Sequence, residues 1–254
     1  MIVCKSPAEL EKMRAANQLV AQVLEELAAM VAPGVTTADL DAAAEARVRA
    51  AGAEPAFKGY RGYPATLCAS VNEQVVHGIP NRTALASGDI VSLDMGVKLN
   101  GYYGDSAVTV PVGTVDENVR KLLRVTREAL DKGIAQVKVG GRISDIGHAI
   151  QAHVEAHGFS VVREFVGHGI GASLHEEPQI ANYGEPGRGP RLAEGMTLAI
   201  EPMVNMGKAA VRVLADGWTA VTRDGSLSAH FEHTVAVTKD GPLVLTRPRV
   251  AAGR

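Results

Sequence analysis

Cysteine is scarce in this chain, and the two residues present cannot build a disulfide framework. Only Cys4 and Cys68 occur among 254 residues, a usage typical of proteins that fold in a reducing compartment. No charged-then-apolar leader precedes Ser6, and no apolar run approaches the length that spans a bilayer. We therefore expect a cytoplasmic protein with no membrane partner.

A dominant charge of either sign is also lacking. The 26 Lys and Arg against 28 Asp and Glu leave a net charge of −2, without a long basic or acidic run. This balance argues against nucleic acid or a membrane surface as partner and favours a small polar substrate. Apolar residues make up 46% of the chain, which is enough to bury one large core or two modest ones.

Helical and strand-like patterns share the chain, which predicts an α+β fold. In SPAELEKMR, Ser6 is placed as N-cap, Pro7 at the first helical position and Glu9 to close a capping box, and Pro33-Gly34 stops the pattern. Helical spacing recurs over about 37–51, 116–137 and 144–157. Strands are predicted at 90–98, 102–110, 160–166, 197–201, 210–214 and 229–238. Tight turns at Asn100-Gly101 and Asp216-Gly217 indicate a largely antiparallel sheet.

The two halves of the chain resemble each other at a nearly constant offset. A shift of 106 lays 14–52 on 120–158 with eleven identities in 39 positions, and a shift of 107 lays LASGDIVSLD on LAEGMTLAIE. Chance similarity between Ala-rich helices is the alternative, but the strand match argues against it. We predict one domain, 1–254, with repeats at about 8–110 and about 116–238. A pseudo-twofold relation between them would bring Asp94 and Glu201 toward each other.

Two acidic residues are predicted to share one face of a hairpin. In MGVKLNGYYGDS, the Asn100-Gly101 turn pairs Gly96 with Asp105, so Asp105 lies diagonal to Asp94. Solvated surface acids are the usual interpretation of such a pair. Apolar strands and neighbouring glycines favour a buried pair here, and two buried carboxylates repel unless a cation lies between them.

Two more carboxylates are expected to end or line strands near this pair. Glu201 closes the apolar strand MTLAI, and Pro202 holds it in an extended conformation. In AHFEHTVAV, alternation places Glu232 and His233 on opposite faces. We expect Glu232 to face the site and His233 to be structural.

The segment EFVGHGIGASLHEEP poses a separate question, because His168 stands between two glycines. Gly167, Gly169 and Ala172 spell a dinucleotide-binding pattern, but no long helix follows before Glu176-Glu177-Pro178. We interpret His168 instead as a ligand whose backbone can approach a metal or substrate closely. His175, seven positions on, can face the same cleft.

Other candidate groups carry weaker signals. His153 and His157 lie four apart on a predicted helix, but the sequence between them is VEA. A zinc-protease helix requires glutamate directly after the first histidine, so a solvated helix face is the better interpretation. Cys68 lines a pocket or, on the simpler interpretation, is a small buried core residue.

The surviving groups form a set that suits a pair of divalent cations: Asp94, Asp105, His168, Glu201 and Glu232. Oxygen-rich ligation with one nitrogen fits manganese, iron(II) or cobalt as well as zinc. Two metals roughly 3.5–4 Å apart hold a bridging hydroxide for attack on a carbonyl. The sequence therefore predicts a hydrolase.

At this point the chain resembles the type I methionine aminopeptidases, metallopeptidases with a pita-bread fold. The resemblance covers nearly the whole chain and is carried by GYRGYPATLCASVNEQVVHGIP, SLDMGVKLNGYYGDSA, FVGHGIGASLHEEPQIANY, IEPM and DGWTAVTRDGSLSAHFEHT. It implies two pseudo-symmetric halves, each with a helix pair on a curved, largely antiparallel sheet. It also implies removal of the N-terminal methionine from nascent polypeptides whose second residue is small.

The resemblance assigns roles to individual residues. It implies that Asp94 binds one metal, that Asp105 and Glu232 bridge both, and that His168 and Glu201 bind the second. Glu201 is further implied as general base, with His77 and His175 contacting substrate and transition state. The methionine pocket is implied at Tyr60, Tyr63, Cys68 and Trp218, whereas Phe57 and Leu174 depart from the cysteine and phenylalanine expected there.

Two rival functions are weighed against this one. A related pita-bread peptidase that cleaves before proline or acts on dipeptides is the nearer rival, and such enzymes usually carry an additional N-terminal domain. A non-catalytic binding protein of the same fold should have lost metal ligands, whereas all five positions here hold residues that can bind metal. The resemblance implies a monomer acting on methionyl peptides and nascent chains, with ribosome association not visible in the sequence.

Overall fold

The computed structural model describes residues 1–247 and contains four long helices and fifteen short to medium strands. The helices are Pro7–Met30 (α1), Thr37–Ala50 (α2), Glu117–Ile134 (α3) and Ile143–Ala156 (α4). The strands are Glu54–Pro55 (β1), Leu67–Val71 (β2), Gln74–Val76 (β3), Ile90–Leu99 (β4), Tyr102–Pro111 (β5), Ser160–Val161 (β6), Gly167–Gly169 (β7), Glu176–Ile180 (β8), Thr197–Ile200 (β9), Met203–Asn205 (β10), Val211–Val213 (β11), Ala220–Thr222 (β12), Ser228–His230 (β13), Glu232–Thr238 (β14) and Gly241–Val244 (β15).

Helix starts follow the local signals in the sequence. Ser6 caps α1, its side chain accepting the backbone N–H of Glu9 while the Glu9 carboxylate accepts the Ser6 N–H. Thr36 and Asp39 form the same reciprocal cap at α2. Because these caps satisfy backbone donors that would otherwise lack partners, they fix where each helix begins. All four predicted helices are confirmed.

A long antiparallel sheet runs through the molecule in the order β1-β4-β5-β14-β9-β7-β8, with β2 paired to β4 and β15 to β14. Its two halves meet where β14 pairs with β5, at Glu232↔Ala107 and His233↔Ser106. On its other side β14 pairs with β9. Two three-stranded sheets, β13-β10-β6 and β11-β12-β3, flank the long one.

Each helix pair buries an apolar face against its own half of the sheet. Side chains of α1 and α2, including Val20, Leu27 and Leu40, pack on β2 and β4. Side chains of α3 and α4, including Leu122 and Ile146, pack on β9 and β14. The predicted α+β pita-bread arrangement, with helix pairs on a largely antiparallel sheet, is confirmed.

Three predicted strand features are wrong in extent. The strand predicted at 160–166 ends at Val161, because the chain bends at the exposed residues Arg163 and Glu164. The strand predicted at 229–238 is two strands broken at Phe231, where the chain changes its partner from β10 to β9. The Asp216-Gly217 turn does join an antiparallel pair, but over 214–219, with the Asp216 side chain accepting two backbone N–H groups.

Within residues 1–247, none of the helices combines the length and the apolar character needed to cross a lipid bilayer.

Candidate metal centre

One cavity of about 170 Å³ collects every residue that the sequence analysis assigns to the metal site and the substrate pocket. The predicted residues lining it are Tyr60, Tyr63, Cys68, His77, Asp94, Asp105, His168, His175, Glu201, Trp218 and Glu232. They come from both halves of the long sheet and from the loops at one of its faces. Phe57 and Leu174, which depart from the family pattern, line the same cavity, as does Arg61, which was not predicted.

The β4–β5 hairpin places two carboxylates side by side. Asn100 and Gly101 have φ of 53° and 82°, the positive values that a two-residue hairpin turn requires. The predicted register is confirmed, with Gly96 opposite Asp105 and Asp94 opposite Ala107. Asp94 and Asp105 therefore lie diagonally on the face that lines the cavity.

Glu201 and Glu232 approach from the other half of the sheet. Glu201 directly follows β9, and its carbonyl accepts a hydrogen bond of 3.0 Å from the Asn182 side chain. The carbonyl of Glu232 accepts a hydrogen bond of 2.6 Å from the hydroxyl of Ser106 on β5. This hydrogen bond between Ser106 and Glu232 links the two halves of the long sheet next to the carboxylates.

The prediction that Glu232 and His233 face opposite ways is confirmed. Glu232 lines the cavity, and Thr234, two residues on, donates to the carbonyl of Asp105 at 2.8 Å. His233 lies on the opposite face, where its Nδ1 is 2.8 Å from the hydroxyl oxygen of Thr246. Strand alternation thus separates the adjacent Glu and His of the EHT motif.

The glycines around His168 allow strand β7 to fit between β8 and β9. A Cβ at Gly167 would lie 2.4 Å from the Ala199 carbonyl oxygen, and one at Gly169 would lie 2.2 Å from that of Glu177. Only glycine permits this backbone approach. The 2.9 Å contact between His168 Nδ1 and the Gly169 carbonyl requires the proton on Nδ1, since a carbonyl only accepts. Nε2 is left as a free electron-pair donor.

The free nitrogen of His168 points toward the carboxylates. Its Nε2 lies 3.9 Å from Oδ2 of Asp105 and 3.6 Å from Oε1 of Glu201. One ligand atom from each of Asp105, His168 and Glu232 lies within 4.8 Å of the other two. This spacing matches ligands that surround a cation without quite touching one another.

Burial makes the acidic cluster unfavourable unless a cation or protons compensate it. Burial raises the pKa of Asp94 to about 7. Burial, together with neighbouring carboxylates, raises the pKa of Asp105, Glu201 and Glu232 well above its ordinary value. One oxygen each of Asp94, Asp105 and Glu232 has no hydrogen-bond partner among residues 1–247. Buried oxygens without partners are costly, and divalent ions would satisfy them.

The remaining predicted residues form the wall and rim of the cavity. His175 lies 2.9 Å from the Tyr60 hydroxyl through its Nδ1, and its ring centre is 4.2 Å from that of His168. Tyr63 meets Trp218 edge-on at 5.1 Å between ring centres. His77 lies between Trp218 and Phe165, at ring-centre distances of 6.2 and 5.4 Å.

Burial keeps two further groups of the cavity wall neutral at pH 7. Burial lowers the pKa of His77 to about 4, with the nearby His175 adding to the effect. Burial also raises the pKa of the Cys68 thiol, so Cys68 is no thiolate ligand. Its backbone lies opposite Asp94 in the β2–β4 pair. Cys68 is a buried residue that also lines the cavity.

The sequence interpretation missed His230, a fully buried imidazole behind the carboxylates. Its Nε2 lies 3.7 Å from Oε2 of Glu201, and neither ring nitrogen has a hydrogen-bond partner among residues 1–247. Thr109 fixes the backbone of His230 by two hydrogen bonds of 2.8 Å. Alternation from Glu232 could have indicated it, because residues two apart on an extended chain share a face.

Clustered carboxylates on a curved antiparallel sheet, flanked by two helix pairs, define a metal-dependent hydrolase of the pita-bread class. The model of metallopeptidase family M24 matches residues 11–239. The chain belongs to this family, whose members use divalent metal ions.

Proteins named methionine aminopeptidase match this chain along their whole length. The protein named methionine aminopeptidase 1 in Bacillus subtilis (strain 168) is 56% identical over 247 residues, covering 97% of this chain and 100% of that protein. The crystal structure of methionine aminopeptidase from Thermotoga maritima superposes with a TM-score of 0.96 at 51% identity, covering 98% and 100% of the two chains. Prolidase from Pyrococcus furiosus, at 22% identity and a TM-score of 0.78, shares the fold; the match covers 97% of this chain and 66% of that one.

Proposed function

We propose that this chain is a methionyl aminopeptidase that removes the N-terminal methionine from nascent polypeptides whose second residue is small. One observation carries the proposal: two buried carboxylates, two partly buried carboxylates and an imidazole converge at one cavity whose other lining residues are mainly aromatic or apolar. The carboxylates and the imidazole suit metal-assisted hydrolysis. The aromatic and apolar lining suits a thioether side chain. Full-length similarity to proteins named methionine aminopeptidase supports the same assignment.

The donor set fits two divalent ions, and we assign its members as follows. Asp94 would hold one ion, His168 and Glu201 the other, and Asp105 and Glu232 both. Cobalt, manganese, iron(II) and zinc all suit this mixture of oxygens with one nitrogen. Such ions, when bound, lower the pKa of a water molecule and polarise a carbonyl group.

The protein side chains would supply proton transfer and orientation. Glu201 is the candidate for the general base because its carboxylate lines the cavity, 3.6 Å from Nε2 of His168, and a carboxylate in reach of the attacking water can accept its proton. If the Tyr60 hydroxyl donates to Nδ1 of His175, across their 2.9 Å contact, the His175 proton lies on Nε2. That N–H can then donate to the oxygen on which charge develops.

The aromatic part of the cavity would bind the methionine side chain. Tyr63 is almost fully buried, and its one hydroxyl proton is shared between the carbonyls of Leu67 and Gly78, 3.0 and 2.9 Å away, so its ring is held rigidly. Trp218 and Cys68 complete an apolar wall next to Asp94. A rigid apolar wall of this kind suits one unbranched side chain, and the neutral His77 lies beside Trp218.

Four peptides test the reaction and its specificity, and the fourth, Met-Lys-X, tests the requirement at the second residue. Metal-free protein is titrated with each divalent ion against Met-Ala-X, Leu-Ala-X and X-Pro substrates. Turnover should require metal and should occur with the methionyl peptide alone. Turnover that survives chelation would refute the metal requirement, and equal rates on X-Pro would favour a prolidase-like activity instead. Near-equal kcat/KM for Met-Ala-X and Met-Lys-X would refute the requirement for a small second residue.

Two variants separate metal binding from catalysis. Glu201→Gln should weaken metal binding and lower kcat together. His175→Ala should keep normal metal content while kcat falls by ~10²–10³, or about 2.7–4 kcal/mol, the typical loss of one oxyanion donor. Metal content by elemental analysis is measured beside kcat. Near-normal turnover of His175→Ala would leave that histidine without a catalytic role.

The domain organisation, the oligomeric state and the cellular location are proposed together with this function. We propose that residues 1–254 form one metallopeptidase domain with an internal repeat, supported by the single long sheet that both helix pairs cover. We further propose that the enzyme acts as a monomer in the cytoplasm.

A further inference from the structure

A second cluster of metal-binding side chains lies on the helix layer, among residues that do not line the cavity. Glu128 on α3, His153 on α4 and His157 directly after α4 each offer one ligand atom within 4.8 Å of the other two. Nε2 of His153 lies 3.0 Å from Oε2 of Glu128. The rings of His153 and His157 are 4.6 Å apart at their centres.

The orientation of His157 is fixed by its own backbone contact. Its Nδ1 lies 2.8 Å from the carbonyl oxygen of His153. Because a carbonyl only accepts, the proton must lie on Nδ1 and Nε2 keeps its lone pair. A ring nitrogen oriented through a hydrogen bond from the other nitrogen is the usual arrangement of a histidine that binds metal.

The spacing of Glu128 and His153 already suits a shared ion. An imidazole nitrogen binds zinc at about 2.0–2.1 Å and a carboxylate oxygen at about 2.0–2.2 Å. Two such ligands on one ion lie roughly 3 Å apart, close to the separation of these two atoms. The three side chains are half-buried, and 16% of the His153 side chain and 45% of the Glu128 side chain stay exposed, so an ion can reach them from solvent.

The neighbouring charges select which ion can bind. Arg124 lies 3.9 Å from the other carboxylate oxygen of Glu128, and Lys121 donates to the His157 carbonyl. Two adjacent cations disfavour ions held mainly by charge, such as magnesium and calcium. Two imidazoles favour borderline and softer ions, with copper(II) bound more tightly than nickel or zinc.

We propose that Glu128, His153 and His157 form a transition-metal site, separate from the catalytic cavity, that binds zinc, nickel or copper(II) through one carboxylate and two imidazoles. Its remaining coordination positions face solvent. From the sequence alone, His153 and His157 are interpreted as part of a solvated helix face. The third ligand cannot be seen there, because Glu128 comes from a different helix.

Metal counting with matched variants tests this site. Wild type, His157→Ala and Glu128→Gln are equilibrated with buffered zinc, and a second series uses copper(II), whose electron paramagnetic resonance spectrum reports nitrogen ligands. His148→Ala is the matched control, because His148 lies on the same helix and its ring hydrogen-bonds, among residues 1–247, to the Gly184 carbonyl. Far-ultraviolet circular dichroism checks folding. Peptidase activity checks the central site in every variant.

The wild type and His148→Ala should bind one more ion per chain than His157→Ala. Glu128→Gln should lower the affinity for that ion by ~10–100-fold, a loss usual even for groups that only support a ligand. Magnesium should show no difference between variants, and activity should stay unchanged. Equal zinc content in wild type and both variants would overturn the proposal, as would a copper spectrum that His157→Ala leaves unaltered.

Discussion

Replacing Gly169 by alanine tests whether the glycines beside His168 position its imidazole. The new Cβ would lie 2.2 Å from the carbonyl oxygen of Glu177 and 2.7 Å from its carbonyl carbon. Both are backbone atoms of strand β8, so no change of rotamer relieves the overlap. Ordinary Cβ contacts begin at 3.4 Å, so strands β7 and β8 must separate by about 1 Å.

This shift would move the imidazole directly, since His168 Nδ1–H donates to the carbonyl of Gly169 itself. A misplacement of ~1 Å at a reacting centre can cost about 10²-fold in rate. Overpacking of this kind costs about 1–3 kcal/mol of stability, and each kcal/mol lowers Tm by about 2–4 °C in a protein of this size. We expect Gly169→Ala to lower kcat/KM for a Met-Ala peptide by ~100-fold and to retain less metal.

Gly171→Ala is the control in the same loop. Its Cβ would meet the side-chain ends of Lys5 and Glu176 rather than backbone. Those two form a 2.5 Å ion pair, so this variant should lose stability while its activity stays near normal. Activity and metal content are measured beside Tm for both variants. Wild-type activity in Gly169→Ala, or equal losses of activity in the two, would refute the steric argument.

Three further predictions concern charge and burial. Metal-free protein should lose stability as the pH rises from about 4 to about 7, because burial raises the pKa of Asp94 from its ordinary value of 3.8 to about 7 and the native state holds more protons than the unfolded state between these two values. Tm against pH should slope downward in this range only without metal. Glu9→Gln should lower Tm at pH 7, because hydrogen bonds from Ser6 stabilise the Glu9 carboxylate and lower its pKa to about 2. The difference in Tm between wild type and variant should shrink as the pH falls from 4.5 to 2. A Tm difference that stays constant over this range would contradict the prediction. His230→Leu should retain less metal than His230→Gln, because glutamine offers an N–H toward Glu201, whose Oε2 lies 3.7 Å from Nε2 of His230, and leucine does not. Identical metal retention in the two variants would mean that His230 only fills space.

The parts of the site that follow from local geometry could be predicted from the sequence. A two-residue turn fixes the register of its two strands, so Asn100-Gly101 alone set Asp105 beside Asp94. Alternation along one strand separated Glu232 from His233. Each argument uses only the short stretch of sequence that joins the two side chains whose positions it relates.

Features that depend on contacts between distant segments could not be predicted in the same way. The break at Phe231 arises because the chain changes partners between two strands, which no local pattern encodes. Glu128 meets His153 only because α3 packs on α4. Arg61 reaches the cavity from a turn whose residues show no periodicity.

The central position of β14 has a consequence for how the chain folds. Residues 232–238 lie late in the sequence, yet β14 inserts between β5 and β9 in the middle of the long sheet. Until it does, β5 is an open edge strand, and such edges invite pairing with other chains. Closing the sheet requires contacts of large sequence separation, which slow folding. The strand that completes the carboxylate cluster is therefore also the one that protects the half-formed sheet from aggregation.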